Sequence, residues 1–79
     1  MSHTLEELNK VFCTVFMKQD LVLTPATDAS QVEGWDSLTH MVLISETEKH
    51  FGIHFTFDET MSFHQVGDIL KVIDKHLRG

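Results

Sequence analysis

Asp36, Ser37 and His40 place a carboxylate, a hydroxyl and an imidazole close together in the chain, the three groups of a nucleophilic hydrolase. Their spacing argues against that chemistry. One helix start cannot hold all three in relay, and no second segment supplies an oxyanion hole or a substrate pocket. His50 and His54 have the spacing of a helical metal-ligand pair, but Gly52 between them breaks a helix. No nearby Cys or His completes a tetrahedral set, so both read as solvated surface histidines and no resident metal is expected. Cys13 is the only cysteine, which excludes an internal disulfide, and it reads as half-buried and inert on a helix flank. What stays is one hydroxyl, Ser37, with Asp36 before it and Leu38 after it.

The chain has 79 residues, a formal net charge of −6 and 42% hydrophobic residues. That is one domain over residues 1–79, with enough apolar content for a packed interior and no room for a second core. Six Lys and Arg residues are too few for a nucleic-acid surface, whereas the acidic balance suits partners with basic patches. Residues 1–10 are polar, which does not resemble a signal peptide, and the aliphatic run from Met41 to Ile44 is far too short to span a membrane. The expectation is a soluble, cytoplasmic, monomeric domain without a membrane partner.

Three segments have helical periodicity. Leu5, Leu8, Phe12, Val15 and Phe16 recur at three and four, and Thr4 with Glu7 fits a capping box, so a first helix starts near residue 4 and fades around Met17 and Lys18. Val66, Ile69, Leu70, Ile73 and Leu77 form the stripe of a last helix, with Val72 off it. Ser62 with Gln65 either caps that helix or closes the preceding turn. Gly67 inside it costs about 1 kcal/mol relative to Ala, tolerable near a fraying end. Between Gln19 and Asp36 runs a long connection, anchored through Leu21, Val22, Leu23 and Val32. Residues 52–57 alternate like a strand without a partner strand, which predicts an extended loop inserting Ile53, Phe55 and Phe57. A short helical turn fits Asp58 to Ser62. The sum is an all-α bundle of three main helices plus one short helix, with a long loop between the first and second.

The middle helix has Asp36 as N-cap and Gly52 as its stop. At 100° per residue, Leu43, Ile44, Thr47 and Phe51 share one side, while Leu38, Met41 and Val42 lie opposite. So small a domain cannot surround a helix completely, so the second face is either open to a partner or covered by the long loop. Trp35 is expected to pack across that loop against the bundle, while Lys49, Lys71 and Lys75 read as scattered solvated charges.

Trp35-Asp36-Ser37-Leu38, followed by Phe51-Gly52-Ile53 and Val66-Gly67-Asp68-Ile69, resembles the acyl carrier protein family, including its peptidyl carrier domains, from about Leu5 to Leu77. The resemblance implies a carrier and not an enzyme. Ser37 would receive a covalent 4′-phosphopantetheine arm from coenzyme A, attached by a phosphopantetheinyl transferase, and the arm's thiol would hold cargo as a thioester. Asp36 and Leu38 would be recognised by that transferase, with Asp36 helping to hold the transferase's magnesium. Leu38, Met41 and Val42 would make apolar contact with acyl-loading and acyl-processing enzymes, while Glu46 and Glu48 steer them. Thr39, His40 and Val42 give a more neutral first turn than fatty-acid carriers have, which tilts the reading toward a dedicated pathway. Phe55, Met61 and Phe63 either line a cleft for apolar cargo or fill the core. His40, one turn beyond Ser37, touches the arm or the long loop, or is packed or solvated. The alternatives are a peptidyl or aminoacyl carrier, and an unmodified helical adaptor docking through Leu38, Met41 and Val42.

Overall fold

Leu8, Val11 and Phe12, spaced for one face, draw the first segment into helix α1, Ser2–Phe16, in a computed structural model that describes residues 2–78. The helix starts two residues before the expected cap. Thr4 therefore lies inside it, and the Thr4–Glu7 box is not formed. Lengthening an existing helix by half a turn costs only a few tenths of a kcal/mol per residue, whereas a new start is expensive. α1 closes at Met17, whose left-handed φ of 57° lets the Lys18 N–H donate to the Cys13 carbonyl at 3.0 Å.

Helix α2 covers Ser37–Phe51 and ends at Gly52, φ 68°, where the N–H groups of Gly52 and Ile53 both donate to the Glu48 carbonyl. Helix α3, Phe57–Met61, begins one residue earlier than expected because Thr56 and Glu59 form a reciprocal capping box. That start ends the alternation after Phe55. Phe55 is buried and Ile53 half-buried, but Phe57 is exposed, which corrects the expectation that it points inward. Helix α4 runs Val66–Arg78. Ser62 closes α3 through its N–H and hydroxyl, both donating to the Glu59 carbonyl, and does not cap α4. Asp68 reaches back instead, accepting from the His64 and Gln65 N–H groups. The buried stripe of α4 stops at Ile73, so Leu77, expected on it, is exposed.

Among the described residues there is no strand, only an isolated bridge between Asp28 and Gln65. The long loop is bolted at two places. Asn9 on α1 donates to the Leu21 carbonyl and accepts from the Leu23 N–H at 2.7 Å. On the other side the Thr27 and Pro25 carbonyls accept from the Val66 and Gly67 N–H groups, each at 2.8 Å, satisfying donors that a helix start leaves unpaired. Leu23 at the first bolt and Val32 and Trp35 beyond the second enter the core, while Val22 is 80% exposed and anchors nothing. Its neighbours Leu21 and Leu23 take the inward positions of an extended segment, so Val22 must face out. The loop residues meet Leu8 and Phe12 of α1, Leu43 and Ile44 of α2, and Val66, Ile69 and Ile73 of α4 in one apolar cluster with Phe55 and Phe63. Among the described residues Thr47 is the buried polar side chain, and its hydroxyl donates to the Leu43 carbonyl at 2.7 Å.

Candidate functional site

The head of α2 is built by the side chains around Ser37 and not by Ser37 itself. Asp36, in extended conformation, accepts on Oδ1 from the Leu38 and Thr39 N–H groups, both at 3.0 Å. The Thr39 hydroxyl accepts from the Asp36 N–H at 2.8 Å and donates to the Gly34 carbonyl at 2.6 Å. Accepting these backbone bonds, that from Thr39 foremost, holds the Asp36 carboxyl below the usual carboxylate range. Ser37 is exposed, and its hydroxyl makes no hydrogen bond among the described residues.

Trp35 sets the loop that delivers this helix start. Its ring meets Phe12 edge-on at 5.2 Å and lies 6.3 Å from Phe16, which fastens the loop to α1. Its indole N–H donates to His40 Nδ1 at 3.0 Å, and the two ring planes are nearly parallel, 16° apart. The other ring nitrogen, Nε2, lies 3.3 Å from the Thr60 carbonyl on α3. An indole N–H only donates and a carbonyl only accepts, so together they define a neutral imidazole protonated at Nε2. His40 is therefore a packed bridge. Neither of its nitrogens serves Ser37, and Asp36 serves the backbone, so no hydrolytic relay exists here.

Beside Ser37 an open groove of about 410 Å³ runs between α2 and α3. Trp35, Met41, Met61 and Phe63 supply its apolar lining, and Asp36, His40 and Thr60 its polar part. Phe55 and Phe63 themselves are core residues, packed edge-to-face at 5.2 Å. Met61 is exposed on the groove's outer lip. Leu38, Met41 and Val42 form the outward face of α2 and are 75%, 62% and 47% exposed, and no part of the long loop hides them.

The two glutamates expected to steer partners part ways. Glu46 stays at the surface, 3.6 Å from Lys49. Glu48 turns into the 52–55 segment, where its carboxylate accepts from the Phe55 N–H at 2.7 Å and lies 3.5 Å from His54 Nδ1. His50 is likewise committed, 2.7 Å from Glu7, whose carboxyl it pulls below its ordinary range. Among the described residues no group of three His, Cys, Asp or Glu side chains could hold a metal, and no helix is long and apolar enough to cross a membrane. Sequence reasoning missed Thr39, because the capping-box signature looks for Glu or Gln at that position. It also missed the Trp35–His40 bond, which depends on a loop path that no periodicity encodes.

A family model described as the phosphopantetheine attachment site matches residues 6–73. Among solved structures, the solution NMR structure of the holo acyl carrier protein from Geobacter metallireducens is similar with a TM-score of 0.90. The two are 40% identical, over 99% of this chain and 88% of that one. A search of curated proteins found no match.

Proposed function

The chain belongs to the phosphopantetheine-attachment family as an acyl carrier protein, and from that premise we propose that Ser37 is the residue that takes the arm. The observation that carries this reading is the free, exposed hydroxyl at the first position of a helix whose caps do not use it. The residues fit the group. A phosphodiester on Ser37 lies at the positive end of α2, a gain of about 0.3–1 kcal/mol that the Asp36 carboxylate partly offsets. An arm held that loosely is free to visit several enzymes. When bound, the group supplies a thiol that carries acyl cargo as a thioester.

The chain's own residues do the presenting. Ser37 Oγ forms the phosphodiester bond as its proton leaves and the nucleotide part of coenzyme A departs. Asp36 spends Oδ1 on the α2 backbone, which leaves Oδ2 for the magnesium of the phosphopantetheinyl transferase. Leu38, Met41 and Val42 offer that enzyme, and later the loading and processing enzymes, an apolar docking strip. Glu46 at its edge adds attraction for basic partners, which raises encounter rate more than affinity. Glu48, engaged with Phe55, contributes less to that steering. The first turn after Ser37 is neutral because Thr39 caps the helix and His40 bridges to α3, and this supports a carrier dedicated to one biosynthetic pathway.

Intact mass after incubation with coenzyme A, magnesium and a broad-specificity phosphopantetheinyl transferase tests the proposal. One added arm mapped to Ser37, and none in Ser37→Ala, is the expected result. No addition under conditions that modify a control carrier would leave the exposed α2 face as the docking surface of an unmodified adaptor.

A further inference from the structure

Trp35, His40 and Phe63 wall the groove beside Ser37 on its inner side, and His40 ties that wall together. His40 fills the space where the loop before α2, α2 itself and α3 meet. Its Nδ1 accepts from Trp35, its Nε2–H donates to Thr60, and its edge faces Phe63 at 6.3 Å and 73°. Phe63 packs in turn on Phe55, inside the core. Groove and core thus share a wall made of Trp35, His40 and Phe63. An imidazole in apolar surroundings is costly unless both nitrogens are satisfied. Here the donor and the acceptor come from two separate elements, so moving the ring outward or inward leaves at least one of them unpaired. Among the described residues no buried side-chain nitrogen or oxygen lacks a partner, so the wall carries no flaw that would favour opening it.

We infer that His40 is a specificity-determining residue: bridged between Trp35 and Thr60, it confines apolar cargo tethered at Ser37 to the open groove, so the carrier shelters short acyl chains and leaves longer ones in water. This rests on the carrier reading. A chain too long for the groove gains burial only by displacing the ring. That breaks both hydrogen bonds of the bridge and opens the filled core behind Phe63, where close-packed side chains leave no room for a chain.

The test has two arms on the full chain. Nitrogen NMR of the labelled, unmodified protein at neutral pH reads the ring directly. The expected signature is an unprotonated Nδ1, a protonated Nε2, and a Trp35 indole N–H whose shift moves in His40→Ala. A protonated Nδ1 in the folded protein overturns the proposal. In the second arm, hexanoyl and dodecanoyl thioesters are loaded on wild type and His40→Ala, and their cleavage by hydroxylamine is timed. Wild type is expected to protect dodecanoyl no better than hexanoyl. His40→Ala is expected to lengthen the dodecanoyl lifetime about tenfold, the equivalent of burying roughly two further methylenes. A dodecanoyl thioester protected in wild type, with shifted Phe55 and Phe63 resonances, overturns the inference, as does an unchanged lifetime in the variant. Should His40→Ala not fold, His40→Ser keeps a small hydroxyl while removing the ring and is read the same way. If no arm enters Ser37, the carrier reading fails and the cargo claim with it, whereas the ring measurement decides the bridge separately.

Discussion

Asp36 and Thr39 cap each other across the start of α2. The Asp36 carboxylate accepts from the Thr39 N–H at 3.0 Å, and the Thr39 hydroxyl accepts from the Asp36 N–H at 2.8 Å. Ser37 sits between them and contributes to neither bond. Shape and chemistry at this helix head are therefore assigned to different side chains, and substitution can separate them.

Asp36→Asn keeps an oxygen that caps and removes the charge. Its unfolding midpoint should stay near that of wild type, since Asn and Asp cap about equally well, while arm transfer slows by roughly ten- to a hundredfold. Thr39→Ala should do the reverse, losing about 1 kcal/mol of stability while remaining fully modifiable below its melting temperature. Denaturant titrations paired with transferase kinetics distinguish the two. Equal effects on both readouts from both variants would refute the separation.

Glu59 links α3 to α4. Its carboxyl is held down to about 2, chiefly by the bond from His76 and then by that from the Thr56 N–H. A carboxylate with a depressed folded-state value stabilises fully above its unfolded value near 4.5 and loses that contribution as pH falls toward about 2. Wild type should therefore exceed Glu59→Gln in melting temperature at pH 6, and the gap should close across that acid window. A gap that is constant with pH would mean that the charge is irrelevant.

Gly67→Ala should destabilise, although alanine is the better helix former. An added Cβ would stand 2.9 Å from the Pro25 carbonyl oxygen, a backbone atom held there by its bond from Gly67 N–H. The expected loss is about 1–3 kcal/mol, overriding the roughly 1 kcal/mol gain in propensity. Chemical denaturation measures the sign, and a stabilised variant would show that the loop yields.

The acidic pair on α2 should divide by role. Glu46→Lys changes stability by no more than about 0.5 kcal/mol and slows association with basic enzymes, mainly at low salt. Glu48→Ala leaves the Phe55 N–H without its charged acceptor and should cost about 1.5–3 kcal/mol. Stopped-flow binding at two ionic strengths, beside melting curves, checks both.

The sequence carries α2 nearly whole, because Asp36 and Gly52 are local signals that act through their own backbone neighbours. The stripe of α4 is equally plain up to Ile73. Two identical signatures then behave differently. Thr56–Glu59 forms a capping box, whereas Thr4–Glu7 has the same spacing and forms none, since the helix already extends past Thr4. Periodicity likewise fails at Phe57, where a helix start replaces the alternation, and at Leu77, beyond the reach of the core. At the site, Asp36 and Ser37 are legible as a helix head, and the resemblance gives them a task. The His40 bridge is not legible, because its partners lie on a loop and on α3, and only the fold brings them together.

Because the Ser37 oxygen holds nothing up, esterifying it is a chemical event without a mechanical one. If Ser37 takes the arm, the bare and the armed carrier should share one backbone outline, with melting temperatures that differ only by the small gain at the helix end. An enzyme downstream would then meet one unchanged helix start and tell full from empty by the tethered cargo itself, whether that cargo lies in the groove or hangs in water.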